Sequence, residues 1–361
     1  MKVLVIRLSS IGDVVLATPI LRCLDEQLPN ADIYTLTKPQ FATILTANPH
    51  VMKVIPYSED SACLAALRKE EFDFIVDLQH NHRSKKVVRQ LGVKHSTYPK
   101  EDWNRILYVL TKKNFCTGRS VVQRYFEAVK PLGVKNDNKG LEYYYDSTEI
   151  ETESQNPKTE VSSFIASILN GWHSAPSSSI THHPSPTYAI LVCGAQHYTK
   201  QIPMQQMLEL CRLIQGTIVL IGGKQESLRW QEYLSRHPCE LMPRNVQNYC
   251  GKTTLSQSTF LIQHSSAVIT PDTGMMHIAA ACHKPILAVW GNTTPQMGFF
   301  PYLTTHTNYQ VEGLHCRPCS RFGKKRCPLG HFRCMTRQDW HSIAAQVNKY
   351  LATSKHPPLN K

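Results

Sequence analysis

Apolar and polar positions along this chain switch repeatedly between a strand period and a helical period. Residues 2–8 form an apolar run of strand length, and in 14–28 Val14, Val15, Ile20, Leu21, Leu24 and Leu28 recur at helical spacing. Pro19 bends this helix or ends a short first turn. The pattern then predicts strands at 33–37, 51–57, 72–78 and 141–145. Helices are expected at 39–47, 61–69, 85–91, 103–110 and 121–132. Periodicity lapses over 147–187, where a short helix at 164–169 precedes SAPSSSITHHPSPT, a Ser/Pro/His-rich connection. It returns with strands at 188–193, 217–221, 246–250, 267–270 and 285–290. Between them come helices at 203–214, 225–235, 274–282 and one capped by Thr254 that runs to Gln263; a last helix covers 337–352.

Repeated strand–helix units imply parallel sheets with helices on both faces. The expected architecture is α/β: two Rossmann-like domains whose parallel sheets face each other across a cleft. The expected limits are 1–170 for the first domain, 171–187 for the linker, 188–336 for the second domain, and 337–361 for a final helix and tail. Ligands of such sheets bind outside the carboxyl ends of the strands.

With 42% hydrophobic and 19% charged residues, the composition is that of a folded chain. Its longest apolar stretches fall far short of the roughly 20 residues a membrane helix needs. The opening MKVLVIRLSSIGD turns polar too soon for a secretory leader and reads as a strand, so a cytoplasmic protein is expected. A net charge of +13 attracts anionic partners, whether a phosphorylated substrate, an anionic membrane or nucleic acid. Nucleic acid is disfavoured because no zinc-finger or RNA-recognition signature accompanies the charge.

Four segments carry candidate chemistry. In SSAVITPDTGMMHIAAACHKPILAVWGNTTP, residues 265–295, a buried strand ends at Pro271-Asp272, Thr273 and Gly274 turn, and a helix starts at once. Backbone N–H groups at a helix start suit an anion such as a diphosphate, and His277 lies one turn in. An ordinary capped core helix with a half-buried histidine explains the same spacing. In RLSSIGDVVLATP, residues 7–19, a strand leads through Ser9, Ser10 and Gly12 to Asp13 at a helix start. A carboxylate there takes a proton from an attacking hydroxyl or simply caps the helix. The loop CGAQHYTKQIP, 193–203, offers Thr199 and Lys200, the latter able to neutralise a leaving diphosphate or to be a surface lysine. DLQHNHRS, 77–84, sets His80, His82, Arg83 and Ser84 after a buried strand, where an acidic acceptor docks or a polar loop merely turns.

Together and in this order, SSIGDVVLATP, Asn48-Pro49, DLQHNHRS, the Thr-Lys loop, NYCGKTTL, PDTGMMHIAAA and WGNTTP resemble glycosyltransferase family 9 over nearly the whole chain. That family includes the lipopolysaccharide heptosyltransferases, and the resemblance implies the GT-B fold and an inverting, metal-independent transfer without a cofactor. It implies Asp13 as general base and Thr199, Lys200, Asp272, Thr273, Gly274 and His277 as the donor site. Ser9, Ser10, Gly12 and Arg83 are then expected near the acceptor. The implied donor is ADP-heptose. The implied acceptor is a Kdo or heptose sugar on lipid A, reached by peripheral contact at the cytoplasmic face of the inner membrane. The loop QHYTK departs from the family pattern, which leaves Thr199 less securely matched than Lys200.

Of twelve cysteines, Cys316, Cys319, Cys327 and Cys334 cluster in a basic loop. Four thiolates at this density have the chemistry of a structural zinc site, but the second spacing is wrong for paired Cys-x-x-Cys elements. Reduced thiols are the preferred reading, with no metal. Two other functions stay open: a nucleotide-sugar epimerase or other enzyme of the same fold, and a non-catalytic anion-binding protein.

Overall fold

The computed structural model describes residues 1–155, 158–173 and 186–353. The chain divides into two compact units, one built from Met1–Tyr145 with Pro295–Leu303, the other from Asp146–Thr294 with the chain from Thr304 onward. Most of the expected connection at 171–187 lies outside the described residues.

The first unit holds β1 (Lys2–Ile6), β2 (Asp32–Thr37), β3 (Lys53–Pro56), β4 (Phe74–Asp77) and β5 (His95–Thr97), in the order β3-β2-β1-β4-β5. Every pairing is parallel. Leu4, Ile6, Leu36 and Ile75 pack with Leu67, Val87 and Val88 in one core. Their strand neighbours Val3, Val5, Ile33 and Val76 alternate to the opposite side and are equally buried. Burial on both faces explains why these strands read as unbroken apolar runs.

The second unit holds β6 (Tyr188–Val192), β7 (Thr217–Ile221), β8 (Val246–Asn248), β9 (Ala267–Pro271), β10 (Ile286–Trp290) and β11 (His306–Gln310). Their order is β11-β10-β9-β6-β7-β8, again all parallel. Leu191, Leu220, Ile269 and Val289 join Met207 and Leu210 of helix Met204–Leu213 and Ile343 and Val347 of helix Trp340–Thr353.

Three local expectations change. Residues 141–145 are not a strand, and side chains hold the backbone at its start. Arg22 donates to the Gly140 carbonyl and pairs with Glu142, whose amide donates to Thr18 Oγ1. The expected helix 14–28 is two, Ile11–Val15 and Thr18–Gln27, with Pro19 in the first turn of the second. The aperiodic stretch after 147 holds helices Ser147–Gln155 and Glu160–His173. In the latter, Phe164 meets the Tyr188 ring edge-on at 5.2 Å.

In each sheet the chain winds outward on one side and then returns to the other side of its first strand. The reversal falls between β1 and β4 in the first unit and between β6 and β9 in the second. At such switch points the loops leaving two neighbouring strands diverge and open a crevice for a ligand.

Candidate active site

At the first switch point, the chain leaves β1 through Arg7, Leu8, Ser9 and Ser10 and enters helix Ile11–Val15. Ser10 is the extended N-cap residue and Asp13 lies in the first turn. Asp13 Oδ2 accepts from the Ser10 amide at 3.1 Å and the Ser10 hydroxyl at 2.9 Å. Its Oδ1 pairs with the Arg7 guanidinium at 2.6 Å. The side chains keep only 10% and 20% exposure, so water screens the pair weakly. Burial works against the Asp13 charge, but Arg7 and the Ser10 bonds outweigh it and hold the carboxyl below the usual carboxylate range.

Arg7 is itself anchored from β4, donating to the Leu78 carbonyl at 2.5 Å. Gln79 Oε1 accepts from the amides of Leu8 and Ser9. Asp77, at the end of β4, accepts from the amides of Gln79 and His80 and from the Ser84 hydroxyl. The loops of the two strands are thereby tied together. Tyr98 and Tyr125 meet edge-on at 4.7 Å, with the Arg7 guanidinium 5.7 Å from the Tyr125 ring centre. Tyr125 Oη is buried without a hydrogen-bond partner among the described residues. Lys100, whose carbonyl accepts from the fully buried Arg124, has its ammonium pKa lowered by burial, with Asp102 opposing and Arg7 reinforcing.

Of the expected acceptor residues, Ser9 and Ser10 belong to this network, and Gly12 is buried within the short helix. Arg83 stands in the first turn of helix His82–Leu91, half exposed and paired with Glu59 at 2.6 Å.

The second switch point gathers the expected donor residues. Beyond β6, a single helical turn, Tyr198–Lys200, carries Lys200, whose ammonium meets Asp272 Oδ2 at 2.7 Å just beyond β9. Thr293, beyond β10, donates its hydroxyl to the same oxygen at 2.7 Å. Thr273 is the extended N-cap of helix Gly274–Ala281, and its hydroxyl makes no capping bond. His277 is buried in that helix. The Thr199 side chain is buried and turned to Lys324, accepting from its amide at 2.8 Å.

Residues 314–334 strap these loops. Arg317 donates to the carbonyls of Gly291 and Thr293, and the Cys319 amide donates to Asn292. The Gly291 backbone runs so close that a Cβ there would lie 2.6 Å from the Thr199 carbonyl oxygen. Cys316, Cys319, Cys327 and Cys334 are free thiols, with Cys316 Sγ 3.8 Å from His331 Nε2. Among the described residues, no group of three or more His, Cys, Asp or Glu is arranged to hold a metal ion.

The sequence model of glycosyltransferase family 9 (heptosyltransferase) matches residues 62–331. The chain belongs to glycosyltransferase family 9. It is similar to lipopolysaccharide heptosyltransferase 2 of Escherichia coli K12, with 23% identity over 313 residues, 82% of this chain and 84% of that one. Among solved structures, the family 9 glycosyl transferase of Veillonella parvula superposes with a TM-score of 0.73 at 18% identity, covering 98% of both chains. The E. coli ADP-heptose lipopolysaccharide heptosyltransferase II gives 0.68 at 19%, covering 99% of this chain and all of the other. These likenesses show the GT-B fold, as expected.

In this family 9 glycosyltransferase, sequence reasoning passed over Arg7, Gln79, Lys100, Thr293 and Arg317. Arg7, Gln79 and Thr293 stand inside the quoted motifs, and a charged residue closing a buried strand was the available signal for Arg7. Lys100 and Tyr125 reach the site from distant loops and helices and carry no local signature.

Proposed function

We propose that this glycosyltransferase moves a heptose from ADP-heptose to a Kdo or heptose of a lipid A-linked acceptor, inverting the anomeric centre without a metal. The observation that carries this reading is the Lys200–Asp272 pair beside an N-cap whose side chain leaves the helix start uncapped. Cation and helix amides together form a diphosphate site. The helix start alone would bind any anion; Lys200, emerging from the neighbouring strand of the switch point, makes the site one for a leaving group.

In the proposed reaction the acceptor hydroxyl oxygen attacks the anomeric carbon opposite the diphosphate. The new C–O bond forms as the bond to the diphosphate breaks, the hydroxyl proton passes to Asp13, and ADP departs with its added charge facing Lys200. Asp13 is a weak base at rest, since Arg7 favours its ionised form. Proton transfer therefore comes late, once bond formation has acidified the hydroxyl. Lys100 beside this cluster, and a net charge of +13, suit an acceptor bearing carboxylates and phosphates. No helix among the described residues is long and apolar enough to cross a membrane. We place the enzyme at the cytoplasmic face of the inner membrane, where such an acceptor is presented.

The test is transfer of labelled heptose in the presence of EDTA. Wild-type enzyme is expected to keep its rate, and Asp13→Asn to lose about 100-fold or more in kcat. An unchanged rate in Asp13→Asn removes the base assignment; loss of wild-type activity with EDTA removes metal independence.

A further inference from the structure

Helix Asp102–Thr111 in the first unit presents an apolar face that its own packing does not use. Trp103 is 77% exposed, Leu107 41% and Leu110 71%. Their spacing of four and then three residues puts them on one side of the helix. Phe115, in the turn that follows, is 46% exposed. The opposite side is fixed: Arg105 is buried, with its guanidinium 4.9 Å from the Phe299 ring centre. Downstream, the Thr117 hydroxyl donates to Glu101. Other exposed large hydrophobics, such as Met52, Leu228 and Leu241, stand singly and need no explanation. Four within thirteen residues, led by a tryptophan, form a patch.

Lys112 and Lys113 are exposed at the end of this face. An aromatic ring with a polar edge, aliphatic side chains and flanking lysines match the boundary between acyl chains and anionic headgroups. A helix of ten residues cannot span a bilayer and would lie in its surface. A second copy of this chain would bring like charges together at the same face, whereas an anionic bilayer supplies the opposite sign.

We infer that the face formed by Trp103, Leu107, Leu110 and Phe115, with Lys112 and Lys113 beside it, docks the enzyme on an anionic lipid surface. The inference rests on the proposed function only for its purpose, the encounter with a lipid-anchored acceptor; the lipid contact itself is independent of the sugar transferred.

The experiment is co-sedimentation of the full chain with phosphatidylcholine vesicles, with and without phosphatidylglycerol. Wild type is expected to bind the anionic vesicles and to leave the neutral ones largely in solution. Replacing all four apolar residues by Ser should lower the partition coefficient about tenfold or more. K112E/K113E should lower it at least about fivefold per charge, on anionic vesicles only. These side chains are exposed, so a thermal melt close to that of wild type is expected and excludes unfolding as the cause. Partition unchanged by the Ser variant overturns the inference. So does a wild-type dimer in sedimentation velocity that the Ser variant abolishes without any change in vesicle binding. Transfer to a water-soluble acceptor separates the two readings. If the Ser variant loses vesicle binding yet keeps that rate, both stand. If neither protein transfers heptose while vesicle binding still depends on the face, docking stands and the proposed reaction falls.

Discussion

Replacing Arg7 by Met removes the cation that holds Asp13 charged and leaves its shape roughly filled. The pair lies at 2.6 Å with little exposure, and breaking a buried ion pair from one side costs about 3–5 kcal/mol. Asp13 keeps both Ser10 bonds and 20% exposure, which lowers the expected cost to about 2–3 kcal/mol. Asp13 titrates below its ordinary 3.8, so its contribution is complete above that pH and is lost as pH falls through the depressed folded value. Urea unfolding should therefore find Arg7→Met less stable at neutral pH, with the difference from wild type shrinking below about pH 4. In kinetics, the acid limb of kcat/KM should move to higher pH, because the variant's carboxyl protonates more readily. The charged groups facing Asp13 are Arg7 from the end of β1 and Lys100 from the loop after β5, with the phenols of Tyr98 and Tyr125 beside them. Removing Arg7 takes away the dominant cation, and Arg7→Lys should restore part of both effects. A variant matching wild type in urea at every pH, with its acid limb unmoved, would refute the argument.

Two further outcomes follow from the second unit. Lys200→Met should weaken ADP binding by about 1.5–3 kcal/mol, the worth of a charge-assisted contact, and calorimetry finding a Kd within twofold of wild type would dismiss Lys200 from the donor site. His264 packs against Phe260 with ring centres 4.1 Å apart, and its pKa is lowered to about 4, chiefly by burial. Because the unfolded chain binds that proton first, stability is full above about pH 6.5 and falls by about 2–3 kcal/mol as pH drops to 4; His264→Phe should flatten this segment of the urea-derived profile, and an identical slope in the variant would count against it.

The elements that position the site were the easiest to read. β1, β4, β6 and β9 are buried on both faces, so each is an apolar run closed by polar turn residues, and the loops between β1 and Asp13 and between β9 and Gly274 follow directly. Edge strands were harder. β5 has three residues and β11 reads HTNYQ; both are half exposed and carry no apolar pattern. Residues 141–145 misled in the other direction, since three tyrosines favour a strand while Thr18 and Arg22, more than a hundred positions earlier, capture the backbone. The same distance effect hid Thr293 and Arg317, whose roles depend on the parallel crossover bringing β10 and the following strap beside β9. Arg83, expected near the acceptor from its motif alone, pairs with Glu59 on the surface, a partner its sequence position did not reveal.

In the proposed reaction Asp13 and the Lys200–Asp272 pair both serve one inverting heptosyl transfer. Its most direct test combines purified enzyme, ADP-heptose and a Kdo–lipid A acceptor, with the anomeric configuration of the product read by NMR. One ADP should be released per heptose transferred, and the product anomer should be opposite to that of the donor. A product that retains the donor configuration, or ADP-heptose left intact beside that acceptor, would contradict it.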